Sequence, residues 1–107
     1  MRRGPGIIRV DDIYLGVLRR APSPAEKTYW RDVARAGGTE AEIRGELAHS
    51  CEFEVELKAV FWEQHRRQPE PEDLIGCRAL VAAGKNIEQA AADIAKKEII
   101  SGLLKVA

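Results

Sequence analysis

Apolar residues recur along the chain at the three- and four-residue spacings that place side chains on one face of an α-helix. Three rows follow this pattern: Val10, Ile13, Tyr14, Val17 and Leu18; then Phe53, Leu57, Val60 and Phe61; and finally Ile99, Ile100, Leu103 and Leu104. No segment alternates apolar and polar residues with the two-residue period of a half-buried strand. The pattern predicts an all-α protein with about seven helices.

Helix boundaries are marked between these rows. Ser23-Pro24-Ala25-Glu26 is a capping box with proline at the first helical position, which predicts a helix that runs to Ala36. Gly37-Gly38 follows, and glycine readily takes the left-handed conformation that ends helices. Thr39-Glu40-Ala41-Glu42 is a second capping box and predicts the start of another helix.

The chain matches itself without a gap after a shift of 47 residues, when Ile13 to Lys58 is laid over Val60 to Lys105. Identical pairs include Arg19-Arg20 with Arg66-Arg67, Pro22 with Pro69, Pro24 with Pro71, Arg31 with Arg78, Gly37 with Gly84, and Ala48 with Ala95. Such repeats usually form stacked modules that share one core. We therefore expect a single domain, residues 1–107, built as a tandem repeat of two three-helix units (10–56 and 57–103) plus a C-terminal helix.

The first of these units carries motifs with a familiar order and spacing. They are Leu18-Arg19-Arg20-Ala21-Pro22-Ser23-Pro24-Ala25, Tyr29-Trp30, Ala36-Gly37-Gly38-Thr39 and Ala48-His49-Ser50-Cys51-Glu52-Phe53. In these the chain resembles the bacterial domain-of-unknown-function family 4214, which is distantly like the linker domains of phycobilisomes. The resemblance implies an all-helical module that is accessory to a larger function, with no catalytic residues to carry over. Arg19 departs from the pattern, because the family usually has glycine there.

Composition narrows the functional classes. Seventeen basic residues balance seventeen acidic ones, so no global field draws the protein toward nucleic acid or an anionic membrane. The basic N-terminus is followed by no long apolar run, so we expect neither a signal peptide nor a membrane span. Cys51 and Cys77 form no disulfide framework. These features favour a soluble, cytoplasmic protein.

Two arginine doublets, Arg19-Arg20 and Arg66-Arg67, precede loops that contain two prolines each. Paired guanidinium groups beside helix N-termini are candidates for binding an anion such as phosphate or carboxylate. Arginine near a helix C-terminus also interacts favourably with the helix dipole and the last carbonyl groups. We favour the structural interpretation, and Arg19 and Arg66 are the better functional candidates.

The residues capable of nucleophilic or metal chemistry are sparse. His49 and Cys51 are two positions apart and would diverge on a helix, and neither His65 nor Cys77 completes a recognised ligand spacing. Cys77 occupies the position that Trp30 has in the first unit, which suggests a small buried apolar residue. We predict no catalytic residue, metal or cofactor.

Aromatic and C-terminal apolar residues offer the remaining candidates. Tyr14, Tyr29, Phe53 and Phe61 are expected in the core, whereas Trp62 lies beside the buried row and either anchors a partner or lies under the loop at 66–71. The C-terminal row either folds back on the core or docks on another chain.

The sequence therefore favours a non-catalytic protein–protein interaction, scaffolding or adaptor module, with self-association as one form of it. Its candidate contacts are Trp62, Ile99, Leu103 and Leu104. The alternative is a protein that binds an anionic ligand or nucleic acid through Arg19, Arg20, Arg66 and Arg67 together with Arg2 and Arg3. The balanced net charge counts against this alternative.

Overall fold

The computed structural model describes residues 8–95, which form six α-helices and contain no strand. The helices are α1 (Val10–Leu18), α2 (Pro24–Arg35), α3 (Glu40–Ala48), α4 (Cys51–His65), α5 (Pro71–Ala82) and α6, which begins at residue 87 and continues through residue 95. The all-α prediction is confirmed for this part of the chain. The predicted helix at Ile99 to Leu104 lies outside the described residues.

Local hydrogen bonds explain where α2 and α3 begin and end. The Ser23 hydroxyl accepts from the Glu26 N–H, and the Glu26 carboxylate accepts from the Ser23 N–H, so both members of the capping box are in place. Thr39 and Glu42 do the same for α3. After α2 the chain turns at Gly37, whose φ of 101° is one that glycine adopts without steric cost.

The core lies where α1, α3 and α4 meet, and α5 packs against α3 while α2 packs against α1. Its largest fully buried side chains are Phe53, Phe61, Ile43, Leu57, Ile87, Val17, Val60, Val81 and Cys77. Tyr14 is also buried, and its hydroxyl accepts a 2.8 Å hydrogen bond from the Trp30 indole N–H. The bond satisfies the one polar group of a buried tryptophan.

Three of the four aromatic core predictions are confirmed, and the prediction for Tyr29 is wrong. Tyr29 is 54% exposed, whereas its neighbour Trp30 is 5% exposed. Successive residues on a helix point about 100° apart, so only one of two adjacent rings can face the core fully. Trp30 takes that place, and the Tyr29 ring lies edge-on against it with the centroids 4.7 Å apart.

Polar groups also join the helices. Arg44, on α3, is 8% exposed and donates to the carbonyl oxygens of Val81 and Lys85, at 3.1 and 2.8 Å, where α5 ends. Gly16 lets the Asn86 side chain lie directly over α1, in space that any Cβ would fill. Within residues 8–95, no helix is long and apolar enough to cross a membrane.

Candidate protein-binding surface

Helix α4 carries apolar side chains on two opposite faces. Phe53, Leu57, Val60 and Phe61 are fully buried. Cys51, Val55, Ala59 and Trp62 are exposed and recur at i, i+4, i+8 and i+11, which aligns them along the solvent side of the helix. We call these four residues the outer row.

The outer row contains two large side chains that the fold leaves in water. Val55 is 66% exposed and Trp62 is 52% exposed. A surface helix normally has one apolar face, and a helix that is apolar on two sides is usually covered on both. Complete burial of a valine or larger apolar side chain is worth about 1.5–3 kcal/mol, so a partner that covers this row would gain substantially.

Carboxylates line one edge of the outer row. Glu52, Glu56 and Glu63 project from α4 on the side next to Ala59, and Glu88 approaches the same place from α6. We call these four residues the acidic edge. Lys58 lies on the opposite flank of the row, so the two flanks differ in charge.

Arg19 is held inside the acidic edge. Its Nε donates to Glu56 at 2.6 Å, its two terminal nitrogens donate to Glu63 at 2.8 and 3.0 Å, and one of them also donates to Glu88 at 3.3 Å. The residue ends α1 in the left-handed conformation, with φ 58°. The hydrogen bond from Arg19 lowers the pKa of Glu63. Arg19 therefore joins the first helix to the fourth and sixth.

Arg20 is also paired with carboxylates. Its terminal nitrogens both donate to Glu26 at 2.9 Å, and one of them donates to Glu52 at the same distance. Its guanidinium carbon lies 5.2 Å from the centroid of the Tyr14 ring, within the range of a cation–π contact. Hydrogen bonds from Arg20, and then from the Ser23 backbone, lower the pKa of Glu26 to about 2.

In the second doublet, Arg67 is bound to a carboxylate, whereas Arg66 is exposed to solvent. Arg67 donates to the buried Asp73 carboxylate at 2.9 Å and lies 5.0 Å from the centroid of the Phe61 ring. Arg66 has φ 57°, is exposed, and forms no ion pair with any residue of the range 8–95. Three of the four predicted anion-binding arginines thus have carboxylates of the protein itself as their partners.

The candidate nucleophiles and metal ligands lie apart. Cys77 is fully buried, and burial, with a smaller contribution from Asp73, raises the pKa of its thiol to about 12. The prediction of a small buried residue at this position is confirmed. Cys51 is exposed, and His65 stacks edge-on against Phe61. In the part of the chain that the structure describes, no three His, Cys, Asp or Glu side chains come together as a metal site.

Sequence reasoning found Trp62 but missed the row to which it belongs. Val55 and Ala59 precede Trp62 at helical spacing, so the signal was present in the sequence. This second row was overlooked because the larger apolar residues of the buried row lie on the same helix. Ile99, Leu103 and Leu104, the other predicted contacts, lie outside the described residues.

Comparison with known protein families, curated proteins and solved structures found no match to this chain. The resemblance to family 4214 stays a prediction.

Proposed function

We propose that this protein is a non-catalytic protein-interaction module, of the adaptor or scaffolding kind, that binds its partner through the solvent face of α4. The observation that carries the proposal is the outer row. Its two large side chains, Val55 and Trp62, are both more than half exposed and lie about two helical turns apart on the same face of α4. Large aromatic residues on such surfaces are the typical energetic centres of protein interfaces.

The alternative, binding of phosphate or nucleic acid by the arginine doublets, has less support. Arg19 and Arg20 face five carboxylates, those of Glu26 and of the acidic edge. An incoming anion would have to displace these partners and would meet the remaining negative charge. In this proposal Arg19, Arg20 and Arg67 stabilise the fold, and the carboxylates around Arg19 and Arg20 repel nucleic acid.

The helix boundaries support the proposal that the chain is built of two repeats. Helices α2 and α5 contain twelve residues each, and their first residues, Pro24 and Pro71, are 47 positions apart. Helix α6 begins 47 positions after Glu40, the first residue of α3. Gly37 and Gly84, also 47 apart, both have positive φ.

Ion pairs follow the same spacing. Arg20 binds Glu26 and stacks on Tyr14, while 47 residues later Arg67 binds Asp73 and stacks on Phe61. The common geometry supports a shared structural role for Arg20 and Arg67. Membership of family 4214 and a cytoplasmic location remain predictions from the sequence.

Selection from a library of displayed helical peptides tests the proposed function. Peptides enriched on the wild-type protein should lose binding to the Val55→Lys variant and keep binding to Ile75→Lys. Ile75 is 67% exposed on α5, so the control places the same new charge at an equally exposed apolar position. Both variants should unfold within about 0.5 kcal/mol of the wild type, as surface substitutions usually do.

Two results would contradict the proposal. One is the absence of any enriched peptide. The other is a set of enriched peptides that bind Val55→Lys as tightly as Ile75→Lys. A loss of binding that is specific to Val55→Lys supports a binding site on α4.

A further inference from the structure

We infer that the partner is an amphipathic helix with a row of Lys or Arg along one edge of its apolar face. The inference rests on the proposed function and adds the chemical class of the partner. It follows from the shape of the outer row and from the unequal charges on its two flanks.

The shape of the outer row fits a helix. Its four residues span eleven positions of a straight helix, or about 16 Å at 1.5 Å per residue, which is three turns. Ala59 lies between Val55 and Trp62, so a small side chain marks the middle of the row and larger ones stand at either side. A second helix can approach closely at the alanine and place its own apolar side chains beside the valine and the indole.

The acidic edge has a surplus of negative charge. Its four carboxylates and that of Glu26 contact the two guanidinium groups of Arg19 and Arg20. Five negative charges thus face two positive ones, which leaves three negative charges unbalanced. Glu63 and Glu88 are the most exposed of the carboxylates on Arg19, with 55% and 64% of their side-chain surface open to solvent. Both remain accessible to a cation on a docked helix.

Within residues 8–95, the opposite flank of the outer row does not carry a surplus of negative charge. Lys58 is exposed there, and Glu54 is engaged by Arg78 at 3.6 Å. A helix with basic residues on both edges would therefore meet Lys58 with a like charge. The complementary partner has basic residues on the edge that faces Glu63 and Glu88, and neutral or acidic residues on the other. The charges select both the partner and its orientation.

Two designed helical peptides with one apolar row test this inference. One carries Lys along a single edge, and the other carries Glu at the same positions. Calorimetric titration into the full protein should give about tenfold tighter binding of the Lys peptide at low salt, since three exposed charge pairs contribute a few tenths of a kcal/mol or more each. At 0.5 M salt the ratio should shrink toward one, because exposed charges are screened.

A charge variant assigns the effect to the acidic edge. Glu63→Gln combined with Glu88→Gln should reduce the preference for the Lys peptide to about threefold or less, in proportion to the charges removed. Glu72→Gln combined with Glu46→Gln is the matched control, because these exposed carboxylates lie on α5 and α3 and belong to neither the outer row nor the acidic edge. The control should keep the full preference.

The outcomes separate this inference from the proposed function. If both peptides bind equally, or the Glu peptide binds more tightly, the charge assignment is wrong, although loss of binding in Val55→Lys would still support the α4 site. If neither designed peptide binds while library peptides bind and lose that binding in Val55→Lys, the inferred partner class is wrong but the α4 binding site is still supported. If neither designed nor library peptides bind, both proposals fall.

Discussion

Arg20 and Glu26 form a bidentate ion pair, in which each terminal guanidinium nitrogen donates to a different carboxylate oxygen at 2.9 Å. Glu26 also accepts from the Ser23 N–H at 2.8 Å, so one carboxylate closes the cap of α2 and ties that helix to the end of α1. Such a fork-to-fork arrangement fixes geometry as well as charge. The capping box of α2 and the ion pair between the end of α1 and α2 therefore both depend on the Glu26 side chain.

Loss of the charge on Glu26 should destabilise the protein in a pH-dependent way. We expect Glu26→Gln to lower the free energy of unfolding by about 1 kcal/mol at pH 7, a value limited by solvent screening of this partly exposed pair. The pKa of Glu26 is about 2 in the folded protein and near 4.5 without these partners. Its stabilisation is therefore complete above pH 4.5 and is lost as the pH falls toward 2.

Urea unfolding followed by circular dichroism at pH 7, 4 and 3 measures this effect. The difference between wild type and Glu26→Gln should shrink as the pH falls. Glu72→Gln, in the first turn of α5, is the control and should show a smaller difference throughout. A difference between wild type and Glu26→Gln that stays constant from pH 7 to 3 would contradict the assigned pKa.

Arg44 should be the most sensitive of the arginines to truncation. Arg44→Ala removes the guanidinium donor from the carbonyl oxygens of Val81 and Lys85, although Val81 keeps the Gly84 N–H, and it opens a space beside α5, so we expect a loss of about 2–3 kcal/mol. Arg44→Lys should recover part of this loss, since one ammonium group cannot reproduce the guanidinium fork. Arg35→Ala, at the exposed end of α2, should change stability by no more than about 0.5 kcal/mol. Equal losses in Arg44→Ala and Arg35→Ala would refute this bridging role.

The two cysteines should differ sharply in reactivity. Cys51 is exposed, whereas the Cys77 thiol is buried with its pKa raised to about 12. The thiolate is the reactive form, so a disulfide reagent at pH 8 should modify one thiol per folded chain quickly and the second only after unfolding. Cys51→Ser should abolish the fast reaction. Rapid modification of Cys77 in folded Cys51→Ser would show that α5 does not pack on the core as described.

The two tryptophans should report opposite environments. Trp62 is 52% exposed and Trp30 is 5% exposed, with its N–H bonded to Tyr14. The Trp30→Phe variant, which keeps only Trp62, should emit at longer wavelength and be quenched efficiently by acrylamide. The Trp62→Phe variant should emit at shorter wavelength and resist quenching. Similar quenching in both variants would contradict the exposure of the outer row.

The burial of an aromatic residue could be predicted only where the apolar row of its helix was clear. Tyr14, Phe53 and Phe61 fall on clear apolar rows, and their burial was predicted correctly. Tyr29 and Trp30 are adjacent on α2, and the prediction placed Tyr29 in the core, whereas Trp30 is the ring that faces it. The packing of α2 against α1, with its bond from Trp30 to Tyr14, decided which ring is buried.

The sequence by itself determined the helical class and the starts of α2 and α3, because capping boxes and apolar periodicity act between residues three or four positions apart. Only the tertiary structure decided the partners of the arginines. Arg19 meets Glu56, Glu63 and Glu88 across 37 to 69 residues of chain, a pairing that no local rule can indicate. The fold also decided which apolar face of α4 stays open, since both faces carry apolar residues and burial depends on which side the other helices cover.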